Sequence, residues 1–303
     1  MIAGILIDNR RSPSYFKTFY ARRALRIFPL YYLLVATLFI LAALPRTNSV
    51  LLRDPLPVWA YVLFLQNIVM AISGTYGAIW LAGSWSLAIE EQFYVFLSLS
   101  VRAVASRRAI AAIGFALVAV GPIARSIVQW WFPKDFVHLS YLLSITRCDP
   151  LGIGILLALA YRNAPVWRAL ARHSLPVLGV GALAIALIFK TWQIHSNVSY
   201  LVYAIFYGAL LVFTLDGPCK TWKAFMSTPV MRELGNMSYS TYMLHGVVLR
   251  VTFWIALRTQ PRADTLSDVP VLLAALVSTL AISWASWHLF ERRFVRIGAR
   301  FTY

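Results

Sequence analysis

The feature that most constrains the fold is a series of apolar runs, each long enough to cross a lipid bilayer, that recurs along the whole chain. A helix needs about 20 apolar residues to cross roughly 30 Å of hydrocarbon. Backbone polar groups find no water there, and no stretch alternates like the strands of a membrane barrel. The sequence therefore predicts an all-α, polytopic transmembrane helical bundle. The apolar runs lie near 27–44, 56–72, 85–101, 109–128, 139–160, 174–190, 197–215, 238–257 and 269–290.

The composition excludes an ordinary soluble domain. Hydrophobic residues make up 60% of the 303 residues and charged residues 13%, and the mean hydropathy is +0.70. The formal net charge of +17 could suggest a nucleic-acid partner, but the basic residues lie between the apolar runs and not on one soluble face. We therefore predict the lipid bilayer as a partner and no nucleic acid.

The cysteines and histidines give no sign of a metal site. Cys148 and Cys219 are far apart and match no metal-ligand spacing. We expect no bound metal and no bound cofactor. Four histidines lie in or near connections or close to the end of the last run, without forming a ligand cluster: His138, His173, His195 and His288.

The basic residues predict the topology, because cytoplasmic connections are enriched in lysine and arginine. If every run crossed, the basic connections at 102–108, 161–173 and 216–236 would lie outside. If 56–72 enters the membrane without crossing, these connections, the basic segment 1–26 and the C-terminus all become cytoplasmic. We therefore predict eight crossings plus one re-entrant or peripheral segment at 56–72, in the bacterial cytoplasmic membrane.

Two adjacent carboxylates, Glu90 and Glu91, lie inside an apolar run. A carboxylate in the membrane is costly unless it is paired, protonated or facing a polar cavity, so it marks a candidate functional site. The two side chains are about 100° apart on a helix, so one narrow cavity does not easily hold both. Tyr94 shares a helical face with Glu90 and is a candidate hydrogen-bond partner. The alternative is a structural pair that fixes helix packing.

A second candidate lies at Arg147-Cys148-Asp149-Pro150, inside the run at 139–160. Arg147 and Asp149 point to nearly opposite sides of a regular helix, so we do not expect them to pair with each other. Asp149 before Pro150 is either a functional carboxylate or a helix N-cap. Both alternatives predict a broken or kinked helix that exposes backbone groups to a cavity.

A polar stripe opens the run at 238–257, where Tyr239, Tyr242 and His245 recur at every third position. An intramembrane histidine can act as a general base or can be a hydrogen-bonded packing residue. The spacing alone leaves both alternatives open.

Charged residues also flank the apolar runs. Arg23 and Arg26 share a helical face before the first long run and could bind a phosphate at the cytoplasmic surface. The alternative is a pair of arginines that anchor the helix end in the headgroup region. At the other end of the chain, Glu291 and the arginines after it are interpreted as a solvated helix end.

Together these motifs resemble the acyltransferase 3 family of integral membrane acyltransferases. The matching elements occur in family order and span nearly the whole chain. They are R-R-x-x-R-I-x-P-x-Y at 22–31, W-S-L-x-x-E-x-x-F-Y at 85–94, R-x-D-x-L-x-x-G at 147–154, S-Y-x-x-Y-x-x-H at 238–245, and a glutamate followed by basic residues at 291–293.

The resemblance implies transfer of an acyl group, often acetyl, from acyl-coenzyme A as co-substrate. The implied acceptor is a hydroxyl of a cell-envelope glycan, a lipid-linked saccharide or a similar molecule. By the same resemblance, Arg23 and Arg26 would hold the coenzyme A phosphates. The residues that would line or orient the intramembrane site are Glu90, Tyr94, Arg147, Asp149, Tyr239, Tyr242 and His245.

The chain departs from the family pattern at its start. Members ordinarily begin with two further helices, the first of which carries the histidine taken to be the general base. This chain begins near the end of the second, at 2–6. We therefore predict a single domain over 1–303 that is N-terminally truncated relative to the family, and we hypothesise that Met1 is an internal start or a truncation. By this pattern no residue here inherits the family histidine's role, and the shortened chain would be active only if His245 were the base.

Two other classes of function stay open. One is a transporter or acyl-group conduit, in which Glu90, Arg147, Asp149 and His245 form a relay. The other is a non-catalytic family member that acts as a membrane interaction partner. Consumption of acyl-coenzyme A distinguishes both from an enzyme.

Overall fold

The structure, a computed structural model, describes residues 2–44, 51–104, 106–191 and 197–303. Met1, the predicted internal start, and His195 lie outside the described residues. Within those residues all regular secondary structure is helical, which confirms the predicted all-α class. The α-helices are α1 (Ile2–Asn9), α2 (Tyr15–Ala43), α3 (Val58–Val62), α4 (Gln66–Ser73), α5 (Trp85–Ala103), α6 (Arg107–Trp131), α7 (Phe136–Leu142), α8 (Cys148–Ala160), α9 (Ala164–Lys190), α10 (Ser199–Asp216), α11 (Lys220–Met226), α12 (Pro229–Asn236), α13 (Ser238–Leu257), α14 (Asp268–Ser286) and α15 (Arg292–Ala299).

In the described part of the chain, six helical segments are long and apolar enough to cross a membrane. They are α2, α6, α9, α10, α13 and the continuous run Asp268–Ala299, in which a π-helical turn joins α14 to α15. A seventh is obtained if α7 and the segment Ile145–Ala160, which are bent by 79°, form one broken span. This confirms a polytopic helical membrane protein, while the predicted count of eight crossings is not confirmed.

The difference in the count comes from the run at 85–101 and from the broken run at 139–160, because 56–72 was already predicted not to cross. At 56–72 the chain forms α3 and α4, of 5 and 8 residues, and neither is long enough to cross the hydrocarbon. This agrees with the prediction that 56–72 does not cross. At 85–101 the chain forms α5, which has 19 residues but carries Glu90, Glu91 and Arg102. These charges keep α5 out of the set of six apolar helices.

The chain divides into two compact units. In the first, α6 packs against α8, α10 packs against α8 and α9, and α1 packs against α8. Helix α6 is capped by Ser106, whose side-chain oxygen accepts a hydrogen bond from the Ala109 N–H over 3.1 Å. The segment between α7 and α8 contacts α6, so the break in the helix lies beside a long apolar helix. This unit comprises Met1–Tyr15, Ala71–Gly74 and Ser86–Thr228.

In the second unit, α13 packs against α14 and against the 3₁₀ turn Ile79–Ser84. Helix α2 is joined to α3 by the hydroxyl of Tyr31, which donates to the backbone carbonyl of Tyr61 over 2.9 Å. The Tyr31 ring also stacks on Phe64, with 4.6 Å between ring centroids. These contacts hold α3 and the turn at Phe64 against α2. This unit comprises Phe16–Met70, Thr75–Trp85 and Pro229–Tyr303.

Candidate functional site

The first unit contains a fully buried ion pair beside the break between α7 and α8. The guanidinium of Arg125, on α6, donates to both carboxylate oxygens of Asp149 over 2.9 and 3.0 Å, and neither side chain is exposed. Arg125 also donates to the backbone carbonyls of Thr146 and Asn197, the latter over 3.1 Å from Nε and 2.7 Å from Nη2. A buried ion pair is tolerated only when its remaining donors and acceptors are satisfied. Arg125, on α6, therefore binds the Asp149 carboxylate, the backbone of the break at Thr146 and the backbone before α10 at Asn197.

The two alternatives for Asp149 are distinguished by its position in α8. Asp149 lies in the first turn of the helix, and Arg147 occupies the N-cap position without a capping hydrogen bond from its side chain. The N-cap alternative is therefore wrong, because Arg125 binds the carboxylate instead. The predicted break in the run at 139–160 is confirmed by the 79° bend.

Gly121 lies one turn before Arg125 on α6 and faces the carboxylate of Asp149. A Cβ at Gly121 would lie 2.6 Å from Oδ1 and 2.9 Å from Cγ of Asp149. We expect Gly121→Leu to displace the carboxylate and lower the free energy of unfolding by about 1–3 kcal/mol. Thermal unfolding in detergent measures this change. The matched control is Gly179→Leu on α9, where a Cβ meets nothing within 4 Å. Equal destabilisation of both variants would contradict the close approach.

Arg147, a predicted site residue, lies over aromatic rings. Its guanidinium carbon is 4.2 Å from the ring centroid of Tyr200 and 5.5 Å from that of Tyr141. The guanidinium carbon of Arg125 lies 5.1 Å from the same Tyr200 centroid. A cation over an aromatic face gains about 0.5–2 kcal/mol. Tyr200 is thus a platform shared by both guanidiniums, and the expectation that Arg147 and Asp149 do not pair agrees with this arrangement.

Glu90 and Tyr94 form the hydrogen bond that their spacing predicts. The Tyr94 hydroxyl donates to Oε2 of Glu90 over 2.8 Å. The tyrosine is buried and the carboxylate is exposed, so the bond holds the carboxylate at the surface of α5. Gln92 lies on the same helix, two residues after Glu90, and its side-chain oxygen accepts a hydrogen bond from the Ser144 hydroxyl. Because Ser144 lies in the break between α7 and α8, α5 is attached to that break.

The polar stripe on α13 lies in the second unit, and two of its members anchor the helix. The hydroxyl of Tyr239 donates to the backbone carbonyl of Ile27, on α2, over 2.8 Å. The hydroxyl of Tyr242 donates to the backbone carbonyl of Gly83 over 2.8 Å. Both tyrosines therefore fix α13 against its neighbours in this unit.

The histidine of the stripe, His245, is oriented by a backbone carbonyl. Its Nδ1 lies 2.6 Å from the backbone carbonyl oxygen of Tyr242. A carbonyl oxygen can only accept, so Nδ1 carries the proton in the neutral ring and Nε2 carries the lone pair. The ring is exposed. His173 and His288 make the same kind of Nδ1 contact with a helical carbonyl, at 2.8 and 3.1 Å.

Arg23 and Arg26 are half-buried on α2, in the second unit. Their neighbour Arg22 donates from Nε to the backbone carbonyl of Phe301 over 2.7 Å. Burial raises the pKa of the Tyr303 hydroxyl, and the positive charges of Arg22 and Arg23 oppose this rise. The C-terminal segment therefore lies beside the basic turn of α2.

Glu291 is buried, so its interpretation as a solvated end is wrong. Only 3% of the residue is exposed, and its Oε1 accepts a hydrogen bond from the Ser286 hydroxyl over 2.7 Å. Arg26 acts on this carboxylate electrostatically. The physical reason is that the last apolar helix does not stop near 290 but continues through a π-helical turn to Ala299.

The predicted site residues are thus found in two sets, one in each unit. The first unit holds Glu90, Tyr94, Arg147 and Asp149, and the second holds Arg23, Arg26, Tyr239, Tyr242 and His245. Sequence reasoning missed Arg125 as a member of the first set. The signal for it was an arginine inside the apolar run at 109–128. Among the described residues, no group of three or more histidine, cysteine or acidic side chains is placed to hold a metal ion.

Comparison with protein families gives a match over nearly the whole chain. The model of the acyltransferase 3 family, described as an acyltransferase domain, matches residues 1–288. No solved structure matches the chain.

Several curated proteins are similar at low identity. The proposed acetyltransferase ORF330 of Acidianus two-tailed virus is 24% identical over 246 residues, which cover 80% of this chain and 68% of that protein. The peptidoglycan O-acetyltransferase OatA of Listeria monocytogenes is 23% identical over 284 residues, covering 86% of this chain and 45% of OatA. The proposed O-acetyltransferase SACOL0978 of Staphylococcus aureus is 28% identical over 178 residues, covering 54% of this chain and 29% of that protein. The chain therefore spans less than half the length of the last two.

Proposed function

Because this chain belongs to the acyltransferase 3 family, we propose that it is a membrane enzyme that transfers an acetyl group from acetyl-coenzyme A to a hydroxyl acceptor. The observation that carries the proposal is the family match over residues 1–288. The acetyl group and the hydroxyl are supported by relatives named as O-acetyltransferases. For the acceptor we propose a cell-envelope glycan or a lipid-linked saccharide, since one relative is named for peptidoglycan.

The reaction needs a base for the acceptor and a site for the donor. The hydroxyl oxygen attacks the thioester carbonyl, its proton passes to the base, and coenzyme A leaves as the thiol when the tetrahedral intermediate collapses. We assign the base to His245, because its Nδ1 bond to the Tyr242 carbonyl leaves the Nε2 lone pair for that proton. A positioned general base contributes about 10²–10⁴ to a rate.

Arg147 and Glu90 are the polar side chains of the first unit that the family motifs include. The guanidinium carbon of Arg147 lies 4.2 Å from the centroid of the Tyr200 ring. Glu90 is exposed and accepts a hydrogen bond from the Tyr94 hydroxyl. The buried pair of Arg125 and Asp149 positions the segment that carries Arg147.

The donor site is proposed at Arg23 and Arg26, which are half-buried on adjacent turns of α2. Their charges match the phosphates of coenzyme A. We expect Arg23→Gln and Arg26→Gln each to raise the KM for acetyl-coenzyme A about ten- to hundredfold, because a hydrogen bond to a charged group contributes about 1.5–3 kcal/mol. The value of kcat should change little. Release of free coenzyme A by membranes that contain the protein measures both constants.

The matched control for this experiment is Arg22→Gln. It removes the same charge from the same turn of α2, but Arg22 is exposed and bonded to the backbone carbonyl of Phe301. We expect its KM to stay within about twofold of the wild type, since exposed charges contribute little. An equal rise in KM for all three variants would indicate a general effect of net charge and would contradict a defined phosphate site.

A further inference from the structure

The last long helix of the second unit extends beyond its apolar part. Asp268–Ala299 is one continuous run of 32 residues, which is about 48 Å long at 1.5 Å per residue. Apart from Ile297, its exposed large apolar side chains lie between Val269 and Leu289, a stretch of about 30 Å that matches the thickness of the hydrocarbon. Helix α15 begins soon afterwards, at Arg292. It therefore starts where the helix leaves the hydrocarbon and enters the headgroup layer.

Four exposed arginines of α15 and its C-cap share one side of the helix, which we call the arginine face. They are Arg292, Arg293, Arg296 and Arg300. At about 100° per residue they fall within a sector of about 100° around the helix axis. The opposite side packs against α2, because a Cβ at Gly298 would lie 3.5 Å from Cβ of Leu25. The arginine face therefore points away from α2.

The arginine face carries an excess of positive charge. Within the described ranges, none of its four members takes part in an ion pair. Two carboxylates lie near the start of α15. Glu291 is 3% exposed and accepts a hydrogen bond from the Ser286 hydroxyl, and Glu233 lies 3.3 Å from Nε2 of His288. Even if both carboxylates are counted against the face, two of its four positive charges remain.

Two further features make this charge accessible to the membrane. Side chains of an α-helix tilt toward its N-terminus, and the N-terminal end of α15 is the end that joins the apolar part of the helix. This tilt directs the arginine side chains back toward the headgroup layer. The residues after α15 turn to α2, where Arg22 donates to the Phe301 carbonyl over 2.7 Å and Thr18 to the Thr302 carbonyl over 2.8 Å. They leave the arginine face exposed.

We propose that the arginine face binds the phosphates of anionic phospholipid headgroups at the surface of the bilayer. Arginine suits this ligand, since its planar guanidinium donates to two phosphate oxygens at once. The excess of positive charge selects an anionic headgroup over a zwitterionic one, as basic clusters beside membrane helices do. Arg23 and Arg26, assigned above to the acyl donor, lie on α2 and outside this face. The inference therefore does not depend on the proposed acyl transfer.

Native mass spectrometry of the protein in a mild detergent tests the proposal, with phosphatidylglycerol and phosphatidylcholine of identical acyl chains as probes. We expect the wild type to retain phosphatidylglycerol more tightly than phosphatidylcholine. Arg292→Gln/Arg296→Gln should lower this preference about ten- to thirtyfold, because each basic residue beside an anionic surface strengthens binding about fivefold.

The matched control is Arg168→Gln/Arg172→Gln. It removes two exposed arginines at the same spacing, but from the first turns of α9, where side chains tilt away from the apolar part of that helix. The control should keep the preference for phosphatidylglycerol within about twofold of the wild type. Equal losses in the two double variants would reflect net charge alone and would overturn a defined lipid site on α15.

Two further measurements keep the proposal falsifiable. If Arg292→Gln/Arg296→Gln does not fold, Arg293→Gln/Arg300→Gln removes the other half of the arginine face and should weaken the preference as much. An excess of free coenzyme A should not displace the retained phosphatidylglycerol. Displacement would identify the face as a site for the acyl donor and contradict the lipid assignment. The same preference in the wild type and both of these variants, or no preference in the wild type, would also refute it.

Discussion

Arg125→Met is expected to lower the free energy of unfolding by about 3–5 kcal/mol, because it leaves the carboxylate of Asp149 buried without its cation. The two side chains are joined by two hydrogen bonds of 2.9 and 3.0 Å, and neither is exposed. The variant also removes the donor to the Thr146 and Asn197 carbonyls. A loss of this size is a large fraction of the stability of an ordinary protein. Thermal or denaturant unfolding in detergent measures it.

A second substitution distinguishes the destabilisation caused by the unpaired buried charge from the destabilisation caused by lost packing. In Arg125→Met/Asp149→Asn the carboxylate is replaced by a neutral amide of the same size, so the double variant should be more stable than Arg125→Met alone. The control is Lys223→Met, which breaks an exposed ion pair with Asp216 whose nitrogen and oxygen lie 3.6 Å apart. It should cost no more than about 1 kcal/mol. A double variant no more stable than the single one would show that the unpaired charge is not the cause.

His245→Gln is expected to lower kcat/KM for acetyl transfer by about 10²–10⁴ while leaving the unfolding temperature near that of the wild type. Glutamine is similar in size and keeps a donor for the Tyr242 carbonyl, but it cannot accept a proton at neutral pH. The ring is exposed, so its replacement removes little buried contact. Initial rates of coenzyme A release, measured at saturating and limiting acceptor, give the change.

The matched control is His288→Gln in the same unit. His288 also places Nδ1 beside a helical carbonyl, that of Trp284 at 3.1 Å, but its Nε2 lies 3.3 Å from the Glu233 carboxylate. That carboxylate lies within ion-pair distance of the nitrogen that a base would need. We expect the rate of His288→Gln to stay within about threefold of the wild type, because its ring is not placed for proton transfer. Similar rates for His245→Gln and the wild type would give His245 a packing role and place the base elsewhere.

Local spacing predicted the local geometry of the site well. A helix places residues four apart on one face, so the contact of Glu90 with Tyr94 could be predicted from the sequence. The Asp149-Pro150 dipeptide predicted a break in the run at 139–160, which the structure places a few residues earlier, between Leu142 and Ile145. Apolar runs predicted the helical membrane fold, because hydrocarbon leaves the backbone few alternatives.

Contacts between helices could not be predicted in the same way. Arg125 and Asp149 are 24 residues apart on different helices, and no sequence period relates them. The charge of Arg125 inside an apolar run indicates that a partner exists, but it does not indicate which residue the partner is. Similarly, the continuation of the last helix through a π-helical turn buries Glu291, and this turn has no sequence signal that separates it from an ordinary helix end.

The apolar runs at 85–101 and 56–72 form no apolar helix that is long enough to cross, and only the first of them was predicted to cross. Helix α5 has 19 residues, enough to span, yet it includes Glu90, Glu91 and Arg102. The run at 56–72 has the composition of a span, but the chain turns at Phe64, whose φ is 53°. Composition predicted apolar segments in both places. It did not predict the backbone turn at Phe64, which depends on packing.

The most direct test of the central claim is the stoichiometry of acetyl transfer in membranes that contain this protein. Acetyl-coenzyme A labelled in the acetyl group is added, and free coenzyme A and alkali-labile acetyl ester are measured together. The proposed function predicts that both appear in equal amounts and that His245→Gln reduces both in parallel. Passage of label across the membrane without release of coenzyme A would identify a transporter and contradict the account. No consumption of acetyl-coenzyme A by the wild type would contradict it equally, since a non-catalytic partner would behave in that way.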